Sequence, residues 1–126
     1  KHTSYGGVVP EIAAREHLKN IDEITRSALN QCGKKISDID AFSCTLGPGL
    51  LGGLIIGSNY SKSLSLALNK PYYAVNHLQA HILISKMEHN LTFPFLSLLV
   101  SGGHSLFVVG KKYNKYEKFF YVNFRF

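Results

Sequence analysis

The sequence predicts an α/β chain built on a mostly parallel sheet, and three observations carry that prediction. Helical and strand periodicities alternate from Pro10 to His81 in the order helix, strand, helix, strand, helix. A glycine-rich turn joins the first strand to the second helix, and Phe93-Pro94 then opens a hairpin-like unit of different character. Such alternation implies right-handed crossovers and ligand sites at the carboxyl ends of the strands.

The first element follows a loop, Lys1 to Val9, and has Pro10 and Glu11 in its first turn, where a missing N–H costs nothing. Ala14, Leu18, Ile21, Ile24, Ala28, Leu29 and Cys32 then recur at a helical period, and Gly33 ends the helix. Ala41 to Leu46 alternates as a strand, with Phe42, Cys44 and Leu46 on one face. Gly47-Pro-Gly-Leu-Leu-Gly-Gly53 leads into an apolar helix that runs to about Leu68 and stops at Asn69-Lys70-Pro71. Tyr72 to Val75 is the second strand, and Asn76-His-Leu-Gln-Ala-His81 begins the third helix. Phe95 to Val100 is a continuous apolar strand, Ser101 to His104 a glycine turn, and Ser105 to Val109 the returning strand. Beyond Gly110 no period is clean, although the aromatics of residues 111–126 are compatible with one more strand.

Composition narrows the function classes. With 45% hydrophobic and 12% aromatic residues the chain has enough apolar material for a core and is not of disordered type. The net charge of +6 is concentrated in residues 111–126, which hold five Lys/Arg against one Glu. Residues 1–110 carry nine basic and seven acidic side chains, so there is little electrostatic reason to expect a phosphate-tracking surface there, and no DNA partner is expected. Cys32 and Cys44 have no CxxC spacing, which suits reduced, buried thiols in a cytoplasmic protein. The first ten residues contain no secretory apolar core, and no run of about 20 apolar residues offers a membrane span.

Three places carry chemistry. His77 and His81 stand four residues apart, so on a helix two imidazoles share a face and can converge on one metal ion; a helix that merely bears two histidines explains them equally well. The Gly47-Pro48-Gly49 turn sits between a strand and a helix, where free N–H groups and the helix dipole attract an anion, yet it fits neither the P-loop nor GxGxxG. Tight turning and close helix packing explain it almost as well. The Ser101-Gly102-Gly103-His104 turn has the same two explanations, glycines for a tight hairpin or N–H groups and a hydroxyl for phosphate oxygens.

Tyr5 to Arg15, Gly47 to Gly53 with the following helix and His77-x-x-x-His81, and Phe93-Pro-Phe with Leu99-Val-Ser-Gly-Gly-His104 together resemble the TsaD-type tRNA N6-adenosine threonylcarbamoyltransferases. This family was formerly called glycoproteases or O-sialoglycoprotein endopeptidases, and the resemblance spans about residues 1–110. It implies an actin/Hsp70/sugar-kinase-like (ASKHA) fold of two α/β lobes with a metal and an adenylate between them. Residues 1–92 are then a partial first lobe, 93–110 the opening hairpin of the second, and 111–126 a divergent basic, aromatic tail. The implied reaction passes a threonylcarbamoyl group from its adenylate to N6 of adenosine 37 in tRNA, in the cytoplasm, with TsaB-like and TsaE-like partner proteins. His77 and His81 would be two of three iron (Fe2+) ligands. Leu99, Val100, Ser101, Gly102 and Gly103 would hold threonylcarbamoyl-adenylate, and Gly47, Pro48, Gly49 and His104 would line the cleft. The resemblance assigns no catalytic side chain.

Departures from the family pattern set further expectations. The family's first strand with its Ile-Glu-Thr-Ser-Cys-Asp-like loop, its Asp-Asp-Ala segment and its third metal ligand, an aspartate, have no counterpart here. An incomplete, inactive fragment of a decayed or frameshifted gene is therefore expected, with poor solubility from exposed core. One alternative is a non-catalytic scaffold that binds the TsaB-like partner through lobe-one helices. A metallopeptidase is disfavoured because Leu78 follows His77 where a zincin needs glutamate, and Gln79 offers no carboxylate. A kinase of the same superfold is the weakest alternative.

Overall fold

The structure, a computed structural model, describes residues 6–7, 9–100, 105–113 and 115–122, with backbone alone for 118–122. It consists of two compact units, Lys1–His77 and Leu78–Phe126.

In the first unit, α1 (Pro10–Gln31) starts on Pro10 and closes at Gly33, whose φ of +63° suits glycine. The Lys34 N–H donates to the Leu29 carbonyl at 3.0 Å, satisfying an orphan acceptor of the last turn. Arg15–Glu11 and Arg26–Asp22 pair along its exposed face at 2.6 and 2.8 Å. The Arg26 hydrogen bond holds the Asp22 carboxyl below its ordinary value, and the Tyr60 hydroxyl ties the same carboxylate to the next helix at 3.3 Å.

A short 3-10 turn, Ile36–Asp38, leads to β1 (Phe42–Gly47). Helix α2 (Leu51–Leu68) follows, and then β2 (Tyr72–Asn76). The left-handed Asn69 (φ +50°) ends α2, and the buried Ser65 hydroxyl fastens that end by donating to the Lys70 carbonyl at 2.6 Å. β1 and β2 pair in parallel, from Phe42 opposite Tyr72 to Gly47 opposite Asn76. The expected parallel sheet is therefore present as two strands joined by a helical crossover. Cys32 is exposed where α1 gives way to Gly33, contrary to the expectation of two buried thiols, whereas Cys44 is half-buried; both are free.

The second unit begins within α3 (His77–His89) and continues as an antiparallel sheet of β3 (Phe95–Val100), β4 (Ser105–Lys112) and β5 (Lys115–Val122) in that order. Strand β4 runs three residues past the expected Val109, because Gly110 pairs with Phe95 and does not break the ladder. A Cβ at Gly110 would stand 3.1 Å from the Phe95 ring, so the glycine is what lets that ring lie flat on the strand. The aromatic segment supplies β5. The core is Ile82 of α3 against Leu106 and Val108 of β4, with Phe95, Leu99 and Tyr116 packed around it. Burial, followed by the neighbouring Tyr113, pushes the Tyr116 hydroxyl above its ordinary value.

Leu106 is 2% exposed and Leu98 57%. Leu106→Ala should therefore lower unfolding stability by about 2–4 kcal/mol through lost burial and a cavity. Leu98→Ala should stay within about 0.5 kcal/mol. Urea unfolding followed by tyrosine fluorescence checks both, and equal losses would contradict this core.

Candidate substrate and metal site at the strand ends

Parallel pairing sends the carboxyl ends of β1 and β2 to one edge, where Gly47 and Asn76 are register partners. A shallow hollow of ≈ 300 Å³ opens there, lined by Leu46, Gly47, Ala74, Val75 and Asn76. Gly47 has a φ of +143°, a conformation that L side chains rarely adopt, so the chain can leave β1 at this angle only with glycine. Pro48 and Gly49 complete the turn, and the Leu54 side chain lies beneath it, 3.5 Å from where a Gly49 Cβ would be.

α2 then begins without side-chain capping, since its N-cap is Leu50. The Leu54 N–H donates to Leu50 at 3.2 Å, which leaves the N–H groups of the first turn directed out of the helix. The rest of the glycine run is packing. A Cβ on Gly52 would come within 3.0 Å of the Ala14 Cβ, one on Gly53 within 3.5 Å of the His17 ring, and one on Gly57 within 3.2 Å of the Cys44 sulfur. Tight turning and close helix packing therefore both hold, for different glycines.

His77 follows Asn76 directly and is the first residue of α3, and His81 lies one turn further on the same helix. Among the described residues no group of three or more His, Cys, Asp or Glu side chains is placed to hold a metal ion. Two neutral imidazoles fall short of the three or four protein donors of a zinc or non-haem iron centre. The described residues thus do not by themselves make up an iron site.

Of the hairpin residues, Leu99 packs its side chain on the core of the second unit and Val100 is 68% exposed. Ser101, Gly102, Gly103 and His104 lie outside the described residues. The structure brings Gly47, Pro48, Gly49 and His77 to one strand edge. What the sequence did not disclose is that the packing role extends beyond the turn to Gly57, for which its spacing from Gly53 on one helix was the available signal.

The TsaD family model, described as tRNA N6-adenosine threonylcarbamoyltransferase, matches residues 1–120. The chain belongs to that family. The match reaches past Gly110 to take in most of β5, further than the motifs alone suggested. Two tRNA N6-adenosine threonylcarbamoyltransferases show the degree of likeness. That of Agrobacterium fabrum is 48% identical over 118 residues, covering 94% of this chain and 32% of its own. That of Brucella canis is 49% identical over 118 residues, covering 94% and 33%. The chain thus spans about a third of the length of these TsaD relatives.

Among solved structures, YeaZ from Pseudomonas aeruginosa is similar with a TM-score of 0.59 at 19% identity, over 81% of this chain and 48% of that one. An uncharacterized protein with similarity to peptidase YeaZ matches with a TM-score of 0.59 at 21% identity, over 76% and 44%. These likenesses confirm the fold, the ASKHA-type α/β architecture expected of a TsaD chain.

Gly47→Ala should destabilise the first unit by about 1–3 kcal/mol, because alanine is strained at this φ. Gly49→Ala, which meets Leu54 at ordinary contact distance, should change stability by under about 1 kcal/mol. Denaturant midpoints of the two variants measure the difference, and similar midpoints would show that the turn tolerates a side chain at Gly47.

Proposed function

We propose that this chain supplies the strand-end portion of a site that transfers threonylcarbamoyl from threonylcarbamoyl-adenylate to N6 of adenosine 37 in tRNA. The observation that carries the reading is the register of β1 and β2, which sets the Gly47 turn beside Asn76 and His77 in a chain of TsaD type. The nucleophile is the N6 amine: it bonds to the carbamoyl carbon, the carbon–oxygen bond to the phosphate breaks, adenylate leaves with that electron pair, and one N6 proton passes to solvent. N–H groups at the turn and at the first turn of α2 are suited to hold that phosphate. Leu99 and Val100 contribute through their backbone, since the Leu99 side chain is committed to packing. Ser101, Gly102, Gly103 and His104 complete this reading by their match to the family motif.

His77 and His81 would be two ligands of an iron ion, and the remaining donors must come from outside the described residues. Alone, the 126-residue polypeptide should bind Fe2+ weakly and form no modified adenosine above background.

A chimera tests the reading directly. Residues 1–110 in place of the matching segment of the Agrobacterium fabrum enzyme should yield threonylcarbamoyladenosine in the presence of tRNA, threonylcarbamoyl-adenylate, and TsaB-like and TsaE-like proteins. His77→Ala or His81→Ala in that chimera should lower the yield at least about tenfold. A folded chimera with no product, or one indifferent to both histidines, would sink the assignment.

A second reading is favoured by Leu18 and Ile24, which lie 67% and 64% exposed on α1. Exposed apolar side chains on this helix suit a TsaB-like partner, and the chain then acts as a cytoplasmic scaffold. No helix of the described residues is long and apolar enough to cross a membrane. Co-purification with the TsaB-like protein, lost on Leu18→Asp and Ile24→Asp together, is the expected result; retention by that double variant contradicts it.

A further inference from the structure

One cluster has no part in the transfer site, the turn between β4 and β5. Lys112 and Lys115 are register partners across that turn, and both are exposed. The neighbouring Lys111 is neutralised by Glu117 at 2.6 Å. Among the described residues neither Lys112 nor Lys115 makes an ion pair. Like charges at directly opposed strand positions repel, so the pair costs stability unless an anion lies against it.

Tyr113 stands in the turn itself, 62% exposed. Its ring is pinned edge-on by Phe93, with centroids 5.2 Å apart and planes at 74°. The Lys86 ammonium sits 5.0 Å from the Phe93 centroid and 5.7 Å from that of Tyr113. Lys86 is itself anchored by donating to the Leu91 carbonyl. An aromatic ring is thus held in place, mostly open to solvent, with three ammonium groups nearby. Unpaired nucleic acid takes this combination: phosphates sit on cations and a base stacks on a ring. An acidic peptide would use the charges but has no need of the ring.

We propose that the β4–β5 turn is an RNA contact, with Lys112 and Lys115 on consecutive phosphates and Tyr113 against an unpaired base. The identity of that RNA as tRNA rests on the transferase reading.

The test measures binding of the 126-residue chain to an unmodified tRNA transcript across a range of salt concentrations. Each phosphate contact to a single strand adds about 0.7 to the slope of log K against log salt. Lys112→Gln with Lys115→Gln should therefore flatten the slope by about 1.4, two such contacts, and weaken low-salt binding about tenfold. Lys112→Arg with Lys115→Arg should retain the slope, and so should Lys34→Gln with Lys62→Gln, which removes the same charge from exposed positions on the other unit. Circular dichroism matching the parent chain shows that each variant is folded.

No binding by the parent chain, an equal loss in Lys34→Gln with Lys62→Gln, or displacement of tRNA by polyglutamate at matched charge would overturn the proposal. Binding through Lys112 and Lys115 in a chain whose chimera makes no product supports the contact and sinks only the transferase reading. A productive chimera together with a slope indifferent to this pair does the reverse.

Discussion

Everything at the candidate site depends on the parallel pairing of β1 with β2. Two strands can run parallel only if a crossover returns the chain to its starting edge, and the 18-residue α2 is that crossover. The same helix must approach both α1 and β1 closely. Gly52, against Ala14, and Gly57, against Cys44, leave no room for a Cβ without displacement. Close approach of the helix is thus written into its own first turns, and the strand ends come into line as a consequence.

Elements with one clear period were open to inference from sequence. The stripe of α1, the alternation of β1 and the punctuation at Gly33 and Asn69-Lys70-Pro71 each state a local preference that the fold does not oppose. The segment after Gly110 was harder because Lys111 falls at a register irregularity between Gly110 and Lys112, and a bulge there shifts the phase of any alternation. The exposure of Cys32 was hidden too: helical spacing placed it on the apolar stripe, but a C-cap residue lies where the stripe has run out of neighbours.

In the glycine run, structure separates roles that sequence leaves together. A glycine run carries no mark telling a backbone conformation from a contact. Gly47 is required by its φ of +143°, and Gly57 by the 3.2 Å that would separate a Cβ from a sulfur. Leu99 divides in the same way, its side chain belonging to the core and only its backbone remaining for a ligand. β3 as a whole is apolar on both faces, a pattern suited to a sheet covered on both sides. Leu96, Leu98 and Val100 are exposed while Phe95 and Leu99 are packed, so the described residues cover one of those faces.

His77 and His81 show how far a single helix can go toward a metal centre. One face offers side chains at i and i+4, and a third donor from the same helix would lie a further turn away, beyond the span of one coordination sphere. Two donors are therefore what one helix turn can give, and any complete site must draw the remainder from another element. His77 nonetheless follows Asn76 directly, and Asn76 pairs with Gly47. The parallel register thus sets the start of α3 directly after the strand end that pairs with the glycine turn, and that juxtaposition is what these residues build by themselves.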